Sequence, residues 1–173
     1  MLRKILVTYA SRAGSTAEVA EAIGKTLIDK GVQVDVMSMN NVKDLSSYQV
    51  VVAGSAIHKS RWLPEAVEFI KVHQAELSQK TFVIFTVCIT LGMFNGFVDR
   101  SFVKKWAAPI RALVKPTVEG YFAGRLDFSN LPLNMDTLLL RIMVAFGYFP
   151  SGDHRNWNAI LIWARSLKSV LVK

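Results

Sequence analysis

"LVTYASRAGSTAEVAEAIG", residues 6–24, decides the fold. An apolar, β-branched run gives way to hydroxyls, one arginine and one glycine, and apolar residues then return at helical spacing. The first part reads as a strand. In the second, Val19, Ala20, Ile23 and Leu27 share one face while Glu18, Glu21, Lys25 and Asp29 turn away. Ser15 followed by Glu18 reads as a capping box, so the helix starts near Ser15 or Thr16, and Gly31 closes it. Strand, polar loop and amphipathic helix open a βαβ unit.

The same alternation runs down the chain. "QVVVAG" (49–54), "TFVIFTV" (81–87) and "TVEGYFAG" (117–124) read as further strands, and "VQVDVM" (32–37) as a half-exposed edge strand. The two inner runs are almost wholly apolar, as strands buried on both faces of a parallel sheet are. Pro64 suits the first turn of a helix over "PEAVEFIKVH". "GFVDRSFVKKWAAPIRALV" is helical up to Pro109 and resumes after it. In the last segment Trp157, Ile160, Ala164, Leu167 and Leu171 form one stripe. These elements predict one α/β domain over 1–173, a doubly wound five-stranded parallel sheet of order 2-1-3-4-5 with helices on both faces.

In such a sheet, ligands bind beyond the carboxyl ends of the strands, where the winding reverses between the first and third. The opening loop lies there, and a helix start offers unpaired N–H groups and a dipole to an anion. Ser11, Ser15 and Thr16 add hydroxyls, Gly14 lets the backbone approach closely, and Arg12 either pairs with the anion or lies in solvent. Two rival phosphate motifs fail. A dinucleotide site wants G-x-G-x-x-G, and this loop has one glycine; "GKT" at 24–26 mimics a P-loop, but the position five before Gly24 is Val19, in mid-helix.

What remains is a single terminal phosphate, as in FMN. The stretch "TYASRAGSTAEVAEAIG", including Ala13, resembles the FMN-phosphate loop of flavodoxins in the variant S-x-x-G-S-T. The second loop, "GSAIHKSRWLPEA" (54–66), resembles that of the flavodoxin-type, menaquinone-dependent protoporphyrinogen IX oxidases, with Gly54, Ser55, Ala56 and Ile57, a short polar stretch from His58, and Trp62 before the helix. "GDHRNWNAILIWARSL" (152–167) is similar to that family's link into its last helix.

The resemblance implies a flavodoxin-like fold with FMN as cofactor. It also implies that the second loop and the third, "VCITLGMFNG" (87–96), hold the flavin ring, so Val87, Cys88, Ile89, Leu91 and Gly92 join the cofactor-binding candidates. Trp62 either covers a flavin face or plugs the start of its helix. With no glycine between Ala56 and Trp62, a redox-linked peptide flip is not expected. Cys88 reads as a buried, inert thiol. Flavin chemistry needs no catalytic side chain, and none is assigned. His58, His73 and His154 lack metal spacing, and no metal is expected.

Net charge is +8, from 21 Lys and Arg against 13 Asp and Glu. That favours anionic partners such as acidic lipid or an anionic substrate, and equally suits a basic surface with no partner. No nucleic-acid partner is expected. No run is long and apolar enough to span a bilayer, and a single cysteine suits the cytoplasm. The segment "LPLNMDTLLLRIMVAFGYF" (131–149) is the exception to ordinary patterning. As a helix it gathers Met135, Leu138, Leu139, Ile142, Phe146 and Phe149 on one face, with Leu140 and Val144 extending it and Asp136, Thr137 and Arg141 as a polar strip. Four readings stay open: core helix, homodimer contact, pocket for a quinone or porphyrin, or a helix lying on the inner face of an anionic membrane. The resemblance implies an FMN-dependent dehydrogenase of protoporphyrinogen in heme biosynthesis, with a quinone as acceptor. A carrier flavodoxin with a protein redox partner is the alternative, and a cofactor-free binding module a third reading.

Overall fold

A computed structural model describes residues 3–96, 100–128, 133–147 and 151–171. In chain order the elements are β1 (Arg3–Ala10), α1 (Ser15–Leu27), β2 (Val32–Ser38), β3 (Val50–His58), β4 (Arg61–Trp62), α2 (Pro64–Val72), α3 (Gln74–Leu77) and β5 (Thr81–Cys88). After a 3-10 stretch at Ile89–Gly96 come α4 (Arg100–Trp106), α5 (Ala108–Leu113), β6 (Val118–Ala123), β7 (Arg125–Leu126), α6 (Met135–Ala145), β8 (Gly152–Asp153) and α7 (Trp157–Leu171).

The parallel strands lie in the order β2-β1-β3-β5-β6, which is the predicted 2-1-3-4-5 winding once the two-residue β4 is set aside. β4 folds back antiparallel on the end of β3, and β7 pairs with β8 in a separate ribbon. Strand alternation divides the core. Ile5, Val7, Val50, Val52, Val83 and Phe85 face α1 and α7, where Val19, Ile23, Ile160, Ala164 and Leu167 meet them. Leu6, Val51, Ala53, Phe82 and Ile84 face the opposite layer, packed against Leu63, Ala66, Ile70 and Ile110. Both faces of the central strands are therefore dry, which is why β3 and β5 are almost purely apolar.

Three local expectations need correction. The capping box does not form: Gly14 is the N-cap, in the left-handed region at φ 84°, and no side chain caps the helix. The Glu18 carboxylate is drawn instead to two arginines. Gly31 does not close α1, which ends at Leu27; it turns the chain into β2 at φ 78°, its carbonyl accepting the Arg3 N–H. On α7 the stripe holds at Ile160, Ala164 and Leu167, but Trp157 lies at the surface beneath the Arg155 guanidinium, 4.4 Å from its ring centre.

Over the described residues 133–147 of segment 131–149, the core reading is overturned. Met135 and Phe146 are each 76% exposed, and Leu138, Leu139 and Ile142 are also open. Thr137, assigned to the polar strip, is the buried residue. Periodicity identified the shared face correctly; that face points outward. Phe149 lies outside the described residues. α6 is held by an ion pair from Asp136 to Lys59 (2.8 Å) and by Arg141, which donates to the Phe128 carbonyl.

Candidate functional site

A cleft of about 170 Å³ opens at the carboxyl ends of β1, β3 and β5, where the order of winding reverses. Ser11, Arg12, Ala13 and Ser15 form its first wall. The turn that carries them is shaped by Gly14, whose N–H donates to the Ser11 hydroxyl (3.1 Å), leaving that hydroxyl's own proton to donate outward. Helix geometry leaves the first N–H groups of α1 without intrahelical acceptors, and no side chain supplies one. Thr16 is fully buried in the same turn, and its hydroxyl has no partner among the described residues. A buried hydroxyl without a hydrogen bond costs roughly 1–3 kcal/mol. Uncapped amides and the Ser11 hydroxyl proton at the cleft suit an anion; the unmet Thr16 hydroxyl is buried in the same turn but is not among the residues that line the cleft.

The second wall comes from the end of β3. Ala56, Ile57 and His58 line it, and the chain then reverses through Lys59 and Ser60, at φ 49° and 61°. Two successive left-handed residues make the tight hairpin into β4. Ser55 does not reach the cleft. It is fully buried, donating to the Ala56 carbonyl and accepting the Leu63 N–H at 3.1 Å, and so fixes the hairpin to α2. Trp62 also turns inward. It is 1% exposed, with its indole N–H on the Thr86 hydroxyl at 3.1 Å, so it plugs the core and offers no face to a ring in the cleft.

Val87 and Ile89 supply the floor. Cys88 and Leu91 point away into a small cluster with Val103, and burial pushes the Cys88 thiol pKa up, which keeps it protonated and unreactive. Gly92 serves close packing: a Cβ there would fall 2.6 Å from His154 Cβ. The far wall was not foreseen. Gly124, Arg125, Leu126 and Asp127 line it, and Leu140 of α6 reaches in from above.

Behind this wall lies a network that sequence reading also missed. The Arg155 guanidinium, 2% exposed, contacts Glu18 at 2.8 Å and Asp153 at 2.6 Å, and donates to the Ser15 carbonyl at 3.4 Å. Arg125 reaches Glu18 at 3.3 Å from the cleft side. Hydrogen bonding from Arg155 holds the Asp153 carboxyl below its ordinary pKa. The network ties the start of α1 to the ribbon β7–β8.

Residues 6–147 match the family described as Flavodoxin domain. The chain belongs to the flavodoxin family. Among solved structures, a flavodoxin from the domain Archaea superposes with a TM-score of 0.60 over 98% of this chain and 99% of its own, at 17% identity. A Fusobacterium nucleatum flavodoxin mutant bound to flavin mononucleotide gives 0.51 over 75% of this chain and 74% of its own, at 13% identity. At these identities the likeness concerns the fold. Protoporphyrinogen IX dehydrogenase [quinone] of Escherichia coli K12 is 27% identical over 86 residues, 49% of this chain and 48% of that protein. The chain thus spans about half the length of the curated relatives it matches. Among the described residues, no helix is long and apolar enough to cross a membrane.

Proposed function

We propose that this flavodoxin-family chain binds FMN in the cleft and oxidises a porphyrinogen-type substrate, passing the electrons to a quinone. The FMN part rests on one observation above all, the buried and unpartnered Thr16 hydroxyl beside the uncapped start of α1. The terminal phosphate of FMN supplies the acceptors this turn lacks. The N–H groups of the first turn, Thr16 and the outward proton of Ser11 hold it. Ala56, Ile57 and His58 flank the ring on one side and Val87 and Ile89 lie beneath it. Leu140 keeps water from that end of the cleft. When bound, the flavin supplies the redox chemistry, accepting reducing equivalents from the donor and delivering them to the acceptor. The protein's part is position, exclusion of water and charge.

The choice of porphyrinogen and quinone is supported by the E. coli relative and by the open apolar face of α6 next to the cleft. That face, with Leu138, Leu139, Ile142 and Phe146, lies on anionic lipid, where a basic chain of net charge +8 is drawn and where a quinone is dissolved. A carrier flavodoxin is the second reading, favoured by the overall fold.

Anaerobic turnover separates the two. Oxidation of protoporphyrinogen with a menaquinone analogue supports the first; turnover only with redox proteins supports the carrier. Flotation on vesicles with and without anionic lipid tests the surface. The wild type should float with anionic lipid, and Leu139→Asp with Phe146→Asp should abolish it; equal flotation of both would remove the membrane contact.

A further inference from the structure

The ion network behind the cleft has a consequence for which flavin can enter. α1 carries Glu18 in its first turn, on the side of the helix that meets the cleft wall. A bare carboxylate there opposes a second anion at the same helix start, because both compete for one dipole and repel each other. Glu18 is not bare. Arg125 approaches one oxygen at 3.3 Å and Arg155 the other at 2.8 Å, while Asp153 balances the far side of Arg155. Two arginines and two carboxylates leave the group neutral. Arg155 also donates to the Ser15 carbonyl, fixing the turn whose amides face the anion.

We infer that Arg125 and Arg155 are positioning residues that cancel Glu18, making the mouth selective for the phosphorylated flavin over riboflavin. The inference rests on the proposed FMN site. A purely structural tie between α1 and the β7–β8 ribbon would affect both flavins alike, whereas a charge effect acts on the phosphate only. The selectivity is therefore the quantity to read, as the ratio of riboflavin Kd to FMN Kd.

Fluorescence quenching of FMN and riboflavin by the wild type, Arg125→Gln, Arg155→Met and Glu18→Gln measures it. Arg125→Gln, at the partly exposed rim, should weaken FMN about five-fold at low ionic strength, leave riboflavin unchanged, and lose most of the effect in about 1 M salt. Glu18→Gln should shift the ratio the opposite way. Arg155→Met should act like Arg125→Gln; if this buried change prevents folding, the other two variants still decide. Equal weakening of both flavins, or an unchanged ratio, overturns the inference while FMN binding by the wild type stands. No FMN binding by the wild type overturns both the site and the inference.

Discussion

The Lys59 ammonium lies 2.8 Å from the Asp136 carboxylate, joining the left-handed hairpin after β3 to the first turn of α6. Both side chains are well exposed, so the pair secures α6 locally without contributing much to the whole fold. Lys59→Met should speed amide exchange across residues 135–147 while leaving the melting temperature nearly unchanged; hydrogen-exchange mass spectrometry reads this directly. Hydrogen bonding from Lys59 holds the Asp136 carboxyl below its ordinary value of 3.8. A depressed carboxylate stabilises above its unfolded pKa and loses that contribution as pH falls through the folded one. Acidification should thus begin to loosen α6 below about pH 4 and reproduce the variant's exchange pattern only once pH has fallen through the folded value, after correction for the intrinsic pH effect.

Thr16→Val removes the unpartnered hydroxyl at nearly constant volume. The apo protein should be as stable as the wild type or more so, because an unsatisfied polar atom is gone from the interior. FMN should bind about ten-fold more weakly, for want of one hydrogen bond to a charged group. Thermal melts and flavin titrations of one preparation give both numbers. A variant that loses stability and keeps its FMN affinity would make Thr16 an ordinary core residue.

Gly54 pairs across the sheet with Phe85, whose ring lies over it; a Cβ at 54 would fall inside that ring. Gly54→Ala should destabilise the fold by about 1–3 kcal/mol through overpacking. Phe85→Leu makes room, so the double variant should lose less than the sum of the single losses. Urea unfolding of the four proteins provides the cycle; simple additivity would mean that the ring moves aside without cost.

Tyr48 and Tyr121 should titrate late. Burial, and then the Asp35 carboxylate 2.8 Å from its hydroxyl, push Tyr48 up to about 12. Burial, and then its hydrogen bond to Glu119, do the same for Tyr121, also to about 12. A raised pKa keeps the proton bound in the folded state after the unfolded chain has lost it. The contribution is complete below the unfolded value of 10.0 and is lost as pH rises through about 12. Absorbance titration of phenolate should lose a late component near pH 12 in Tyr48→Phe and in Tyr121→Phe, with wild-type stability falling from about pH 10 upward.

Much of this was legible because period and composition report it. The strands ending at Ala10, Cys88 and Ala123 and the helix start at Ser15 follow from short apolar runs and a 3.6-residue stripe, whereas β3 runs on to His58, four residues past its predicted end at Gly54. Those strand ends carry the loops that form the cleft. What periodicity cannot say is which way a shared face turns. α6 is apolar nearly all round, so its sequence left inward and outward orientations open, and the outward one follows from its ties to Lys59 and Phe128. Trp62 was ambiguous for a similar reason: an aromatic before Pro64 serves a ligand or the core equally well until Thr86 is seen beneath its N–H. Arg155 and Ser15 stand 140 positions apart, and no local pattern links them. The far wall, Gly124 to Asp127 with Leu140, is built from the two-residue strand β7 with its flanks and from one side chain in mid-α6, where spacing carries no signal.

In the proposed site the first turn of α1 grips the phosphate of FMN, and a crystal structure of the protein grown with FMN is the decisive experiment. Density for the phosphate should lie against the N–H groups of the first turn, within hydrogen-bonding distance of the Thr16 and Ser11 hydroxyls. Density for the flavin elsewhere, or a first turn that stays empty at saturating FMN, would rule this phosphate site out.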